Sequence, residues 1–128
     1  MKLVLNSTTH NDCPVEQREK LSLTDEHIKT MLKAMHEKAG ISEAAILKTC
    51  NRLEFYIYAK KEFDCNSFIC ELMEQINPQG LDCWKKFSKN TQGIDVVHHL
   101  FRVSAGLDSQ MPGENQVLSQ VKEAYAIS

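Results

Sequence analysis

The residue with the clearest chemical potential is Cys50, set in the polar run Lys48-Thr-Cys-Asn-Arg52 between two apolar stretches. Side chains two apart on an extended backbone point the same way, so Arg52 projects beside Cys50. A fixed guanidinium there would favour the thiolate, or grip a substrate carboxylate through its planar fork. A carboxylate-bearing acyl substrate suits that pairing. The same residues also fit a plainer role, with Cys50 a small packing residue and Arg52 a solvated turn charge. A second group runs from His99 through Ser109 to Glu114, Asn115, Gln116 and Gln120. Gln116 and Gln120 lie four apart, on one face of a helix, and could offer two amides to one polar ligand. Read plainly, Ser109 and Glu114 cap a helix, His99 packs against a sheet and the glutamines are solvated.

These residues need elements to hold them. Lys2 to Asn6 reads as a short strand, and Pro14 can open a one-turn helix through Glu19. Ser22 to Ala39 carries a helix signature, with Thr24 as N-cap, Asp25 and Glu26 in the first turn, Ile28, Leu32 and Met35 on one face and Gly40 as the stop. Ala44 to Leu47 is a short apolar run. Leu53 to Ala59 alternates apolar and polar residues with period two, predicting a half-buried strand. Phe63 to Ile76 returns to helical spacing, and Asn77-Pro-Gln-Gly80 predicts its end. Cys83 to Phe87 reads as a further strand, Ile94 to Val103 as a helix closed by Gly106, and a last helix starts at Glu114. That helix meets no stop signal before Ser128, so the sequence is expected to be a piece of a longer protein, cut inside a helix.

The 128 residues suit one domain; 42% are apolar and 25% charged, excluding disordered, collagen-like and coiled-coil compositions. A net charge of -2 argues against a broad grip on nucleic acid, although Lys85, Lys86 and Lys89 form a small basic patch. No run approaches the roughly 20 apolar residues of a membrane span, and the N-terminus lacks a signal-peptide core, so a cytoplasmic location without membrane contact is expected. Five cysteines without C-x-x-C predict mostly free thiols, and the His residues, including the adjacent pair His98 and His99, predict no metal site.

Three motifs in order resemble glutamyl-tRNA reductases. ILKTCNRLEFYIY is similar to that family's short strand, S/T-C-N-R and acidic second strand. HLFRVSAGLDSQMPGENQVLSQVKEAY resembles HLFRVAAGLDS followed by GE-x-Q-I-L-x-Q-V-K-x-AY, and CPVEQREKL resembles A-P-V-x-x-R-E-K-L. Together they reach from residue 13 to 125. Two departures stand out: Cys13 replaces the usual Ala before Pro14, and Gln110-Met111-Pro112 replaces a more apolar triplet.

The resemblance implies an α+β fold, a mixed sheet packed with helices and followed by the start of a long connecting helix. It divides the chain into a catalytic domain over 1–112 and, over 113–128, the last catalytic-domain helix with the beginning of the connector. NADPH-binding and dimerisation domains would lie outside this chain, which has no G-x-G-x-x-G. The implied reaction takes glutamyl-tRNA(Glu) to glutamate-1-semialdehyde with NADPH, the first committed step toward 5-aminolevulinate and tetrapyrroles. Cys50 would be the nucleophile that forms a thioester, and Arg52 would bind the substrate's side-chain carboxylate. Thr49, Asn51, Ser109, Glu114, Asn115, Gln116 and Gln120 would line the glutamate pocket, while His99 would position substrate or move a proton. Implied partners are glutamyl-tRNA(Glu), a second copy in the full-length homodimer and the aminomutase that takes the semialdehyde. Without its hydride donor the chain alone is expected to acylate and slowly hydrolyse, but not to reduce. Two other classes stay open on the residues: a non-catalytic α+β ligand-binding or regulatory module with an inert Cys50, and an RNA-binding domain.

Overall fold

The structure, a computed structural model of the chain, describes residues 1–9, 12–49 and 51–104. Four strands form one sheet in the order β2-β3-β1-β4: β1 (Lys2–Thr9), β2 (Ile41–Lys48), β3 (Arg52–Ala59) and β4 (Lys89–Gln92). Every pairing is antiparallel, with Lys2 opposite Ala59 and Thr9 opposite Arg52 across the two central strands. Among the described residues five helices accompany it: α1 (Val15–Arg18), α2 (Asp25–Glu37), α3 (Cys65–Ile76), α4 (Pro78–Phe87) and α5 (Ile94–Ser104), with a 3-10 turn at Glu19–Leu21. The class is α+β, as expected, but the sheet of the described residues is antiparallel throughout rather than mixed.

Local chemistry sets the element boundaries. Thr24 caps α2 by accepting from the His27 N–H at 3.1 Å, and His27 Nδ1 accepts in return from the Thr24 N–H at 3.2 Å. Beyond that cap, Ile28, Met31, Leu32 and Met35 recur at helical spacing and are buried. Gly40 follows in a left-handed conformation, φ +102°, with an added Cβ 2.7 Å from the Phe63 ring. That ring is itself held edge-on by Phe68 at 5.8 Å. Asp64 caps α3, its two oxygens accepting from the Ser67 N–H and hydroxyl at 3.0 and 2.9 Å.

One face of the sheet, carrying Val4, Ala44, Ile46, Leu53, Phe55 and Ile57, packs against α2, α3 and α4 in a continuous apolar core. Trp84 is fully buried there, its ring edge-on to Phe55 at 5.3 Å and its indole N–H donating to Asn66 Oδ1. The other face carries Leu5, Leu47, Glu54 and Tyr56, and α5 crosses it, burying Val96.

Two sequence expectations change. Asn77 does end α3, but Pro78 immediately opens α4 from its first turn, where a missing N–H costs nothing, so Cys83–Phe87 is helix rather than strand. Gly80 lets α4 approach the 3-10 turn, since a Cβ there would stand 2.7 Å from the Lys20 carbonyl. The fourth strand is Lys89–Gln92, whose sequence KNTQ lacks alternation because it is a mostly exposed edge strand held by its hydrogen-bond ladder. The expected helix from Glu114 lies outside the described residues.

Two stability outcomes follow. Gly40→Ala should cost about 1–3 kcal/mol, since it strains a left-handed residue and pushes on Phe63, and calorimetry should show a thermal midpoint lowered by several degrees. Asp64→Ala should cost about 1 kcal/mol in denaturant melts. Hydrogen bonding from the Ser67 backbone and hydroxyl lowers the Asp64 pKa below its ordinary 3.8. A depressed carboxylate stabilises the fold above its unfolded value, so the gap between wild type and variant should persist at neutral pH and shrink as pH falls below about 3.8.

Candidate functional site

Strands β2 and β3 pair as an antiparallel hairpin, and Thr49 and Asn51 between them flank position 50 in sequence. The Thr49 N–H donates to the Arg52 carbonyl at 2.9 Å, closing the turn, and the Asn51 N–H donates to Thr49 Oγ1 at 3.1 Å. Both flanking residues of Cys50 are thereby fixed. Cys50 itself lies outside the described residues, as do Ser109, Glu114, Asn115, Gln116 and Gln120.

Thr49, Asn51 and Arg52 come together in the wall of a 440 Å³ cavity completed by Thr8, Lys48, Leu53 and the segment from Glu19 to Leu23. Lys48 Nζ donates to the Leu23 carbonyl at 2.7 Å and pairs with Asp25 Oδ1 at 3.3 Å, tying the β2 end to the start of α2. Thr8 Oγ1 is buried in this wall and has no hydrogen-bond partner among the described residues. An unpaired buried hydroxyl is costly to the fold.

Arg52 also lines a second, 190 Å³ cavity on the α5 face, with Ser7, Thr9, Asp12, Lys89, Thr91 and His99. The side chain is not a solvated turn charge: only 2% of it is exposed. Its Nη1 stands 3.8 Å from Glu54 Oε1, an ion-pair distance rather than a hydrogen bond. Glu54 is fully buried, and both its oxygens are engaged. Oε1 accepts from the Tyr56 hydroxyl at 2.9 Å and Oε2 from the His99 Nε2–H at 2.5 Å. At the mouth, Lys89 Nζ pairs with Asp12 Oδ1, whose other oxygen accepts from Thr9 Oγ1.

Among the predicted residues, the structure thus joins Thr49, Asn51 and Arg52 on one side and brings His99 to Arg52 only across the second cavity, through Glu54. Glu54 and Tyr56 were not foreseen. Period-two reading assigns them to a solvent face of β3, yet a charge two residues after Arg52, flanked by apolar residues, is the signal that could have marked an internal ion pair.

The four described thiols are largely enclosed. Cys13, Cys65 and Cys83 are buried and Cys70 half-buried, all four free. Burial pushes the Cys65 and Cys70 thiols up, and burial together with the adjacent Cys13 pushes Cys83 up to about 12. Among the described residues no group of three or more metal-ligating side chains occurs, and no helix is long and apolar enough to cross a membrane.

Comparison with known proteins puts this chain in a family. Residues 7–128 match the family model described as the N-terminal domain of glutamyl-tRNA(Glu) reductase. The chain is similar to a glutamyl-tRNA reductase of Carboxydothermus hydrogenoformans, 39% identical over 98% of this chain and 28% of that protein. It is likewise similar to one of Prochlorococcus marinus strain MIT 9312, 41% identical over 96% of this chain and 28% of that protein. Among solved structures, the glutamyl-tRNA reductase of Methanopyrus kandleri superposes with a TM-score of 0.67 at 30% identity, covering 98% of this chain and 27% of that one. The chain therefore spans little more than a quarter of the length of these relatives, and it belongs to the glutamyl-tRNA(Glu) reductase N-terminal domain family.

Proposed function

We propose that this chain is the acyl-transfer unit of an NADPH-dependent glutamyl-tRNA reductase. The observation that supports it most is the closed turn Thr49–Arg52, which brackets Cys50 and runs directly into a guanidinium held inside the protein by Glu54. In this reading Cys50 attacks the ester carbonyl of glutamyl-tRNA(Glu), the bond to the terminal ribose breaks, the RNA leaves and a thioester forms. Arg52 holds the side-chain carboxylate of the substrate glutamate. Glu54 keeps that guanidinium oriented by charge while its own oxygens are satisfied by Tyr56 and His99.

Thr49 and Asn51 would contact substrate from the turn. Ser109, Glu114, Asn115, Gln116 and Gln120 would complete the pocket, and His99 would order the Arg52 face or pass a proton there. NADPH, bound outside the described residues, would supply hydride to the thioester and release glutamate-1-semialdehyde for tetrapyrrole synthesis. In that step the carbon–sulfur bond would break and Cys50 would leave as its thiolate. The homodimer and the aminomutase partner belong to the same reading of the whole protein, as do the cytoplasmic location and the boundary between domain and connector near residue 112.

Incubating the purified chain with glutamyl-tRNA and mapping peptides should place a glutamyl adduct on Cys50, absent in Cys50→Ser. Arg52→Lys keeps the charge beside Glu54 but loses the fork. It should lower the rate of adduct formation roughly 10- to 100-fold, the worth of about 1.5–3 kcal/mol in hydrogen bonds to a charged group, with an unchanged melt. An adduct that survives Cys50→Ser would defeat the proposal. Thiol labelling offers a separate check, because a non-catalytic module would show no preference. With iodoacetamide at neutral pH, Cys50 should be alkylated first among the five thiols. Cys83 should stay slow, its rate rising about tenfold per pH unit as pH climbs toward 12, because a raised pKa leaves little thiolate below it.

A further inference from the structure

The proposed acyl transfer uses none of the four cysteines outside the Cys50 turn, yet two of them meet. Cys13, in the loop after β1, and Cys83, in the middle of α4, are separated by 70 residues, and their Sγ atoms lie 3.6 Å apart with both side chains buried. The contact is part of a seam. Cys83 Sγ also donates to the Gln17 carbonyl at 3.3 Å, and Asn77 Nδ2 donates to the Lys20 carbonyl at 3.0 Å. Gly80 packs against that same carbonyl. The seam therefore fixes the segment from Cys13 to Leu23 onto α4, and Glu19, Leu21 and Leu23 of that segment wall the 440 Å³ cavity.

We propose that Cys13 and Cys83 form an oxidisable thiol pair, closed by peroxide into a disulfide that staples the cavity wall to α4. The sulfurs need to approach by about 1.5 Å to reach bonding distance, a displacement within reach of side-chain rotation at both residues. Oxidation balances with hydrogen peroxide as the two-electron acceptor. One thiol attacks a peroxide oxygen, the O–O bond breaks, and a sulfenic acid and one water result. The second sulfur then attacks the sulfenic sulfur, the S–O bond breaks, and the proton of the second thiol leaves with the hydroxyl as another water.

The geometry serves either order. Whichever sulfur is oxidised first, the other stands 3.6 Å away and resolves it. Because both sulfurs are buried and face each other, a sulfenic acid on one meets the other before any other thiol. The bond would close a long loop, and long closures restrict the unfolded chain most. Nothing in this depends on whether Cys50 is a nucleophile.

The test treats the reduced chain with a small excess of hydrogen peroxide, blocks residual thiols after denaturation and maps peptides without reduction. The expected result is a Cys13–Cys83 cross-linked peptide, two hydrogens lighter than its parts. A thermal midpoint raised by roughly 10 °C should accompany it and be reversed by dithiothreitol. Cys13→Ala and Cys83→Ala should each abolish both signals. The wild-type map decides the matter even if a variant folds poorly. Cross-links through Cys50, Cys65 or Cys70 instead, or sulfinic acid at Cys13 with Cys83 still free, would overturn the proposal.

Discussion

A single carboxylate constrains the α5 face of this molecule. Glu54 sits on a central strand with no exposed surface, where an unpaired negative charge would be expensive. Three side chains offset that cost: the Arg52 guanidinium on the same strand, the Tyr56 hydroxyl two residues on, and the His99 imidazole from α5. Two come free with the period of the strand, since residues 52, 54 and 56 share a face. The third must be delivered by a helix far along the chain, so where α5 crosses the sheet is tied to a charge as well as to the burial of Val96. Removing one partner of such a cluster would leave the others desolvated and unmatched, typically a matter of 3–5 kcal/mol.

The arrangement divides labour between the sheet's faces. One is an apolar layer closed by α2, α3 and α4, built of Phe55, Ile57, Trp84 and the methionines of α2. The other holds the polar machinery. Arg52 belongs to the second face by its side chain, but its place at the strand's beginning puts it at the edge of the first as well, so it borders both cavities. A residue so placed links the two sides of the hairpin.

Much of this could be read in the sequence, for reasons that are local. The Thr24 cap, the Gly40 stop and the apolar spacing of α2 act over a few residues, and the pattern of β3 survives any packing. The Thr49-to-Arg52 cluster was legible as a polar turn because it interrupts two apolar runs. What escaped depended on distant partners. The alternation of β3 says which residues share a side, but not that α5 covers that side, so Glu54 and Tyr56 read as solvated. Pro78 reads as a breaker, yet its position just after the Asn77 cap makes it an opener, and the polar β4 is recruited by the exposed edge of β1 rather than by any periodicity of its own.

The hairpin turn carries an implication for how the molecule is made. Its strands are neighbours in sequence and can pair as soon as both have been synthesised, long before residue 99 exists. During that interval Glu54 stands in a nascent sheet with an arginine and a tyrosine but without its imidazole. A chain whose α5 is slow to dock would dwell in that under-neutralised form, sheet complete and interior charge only partly answered. The last contact to form would thus also be the one that certifies the polar face as finished.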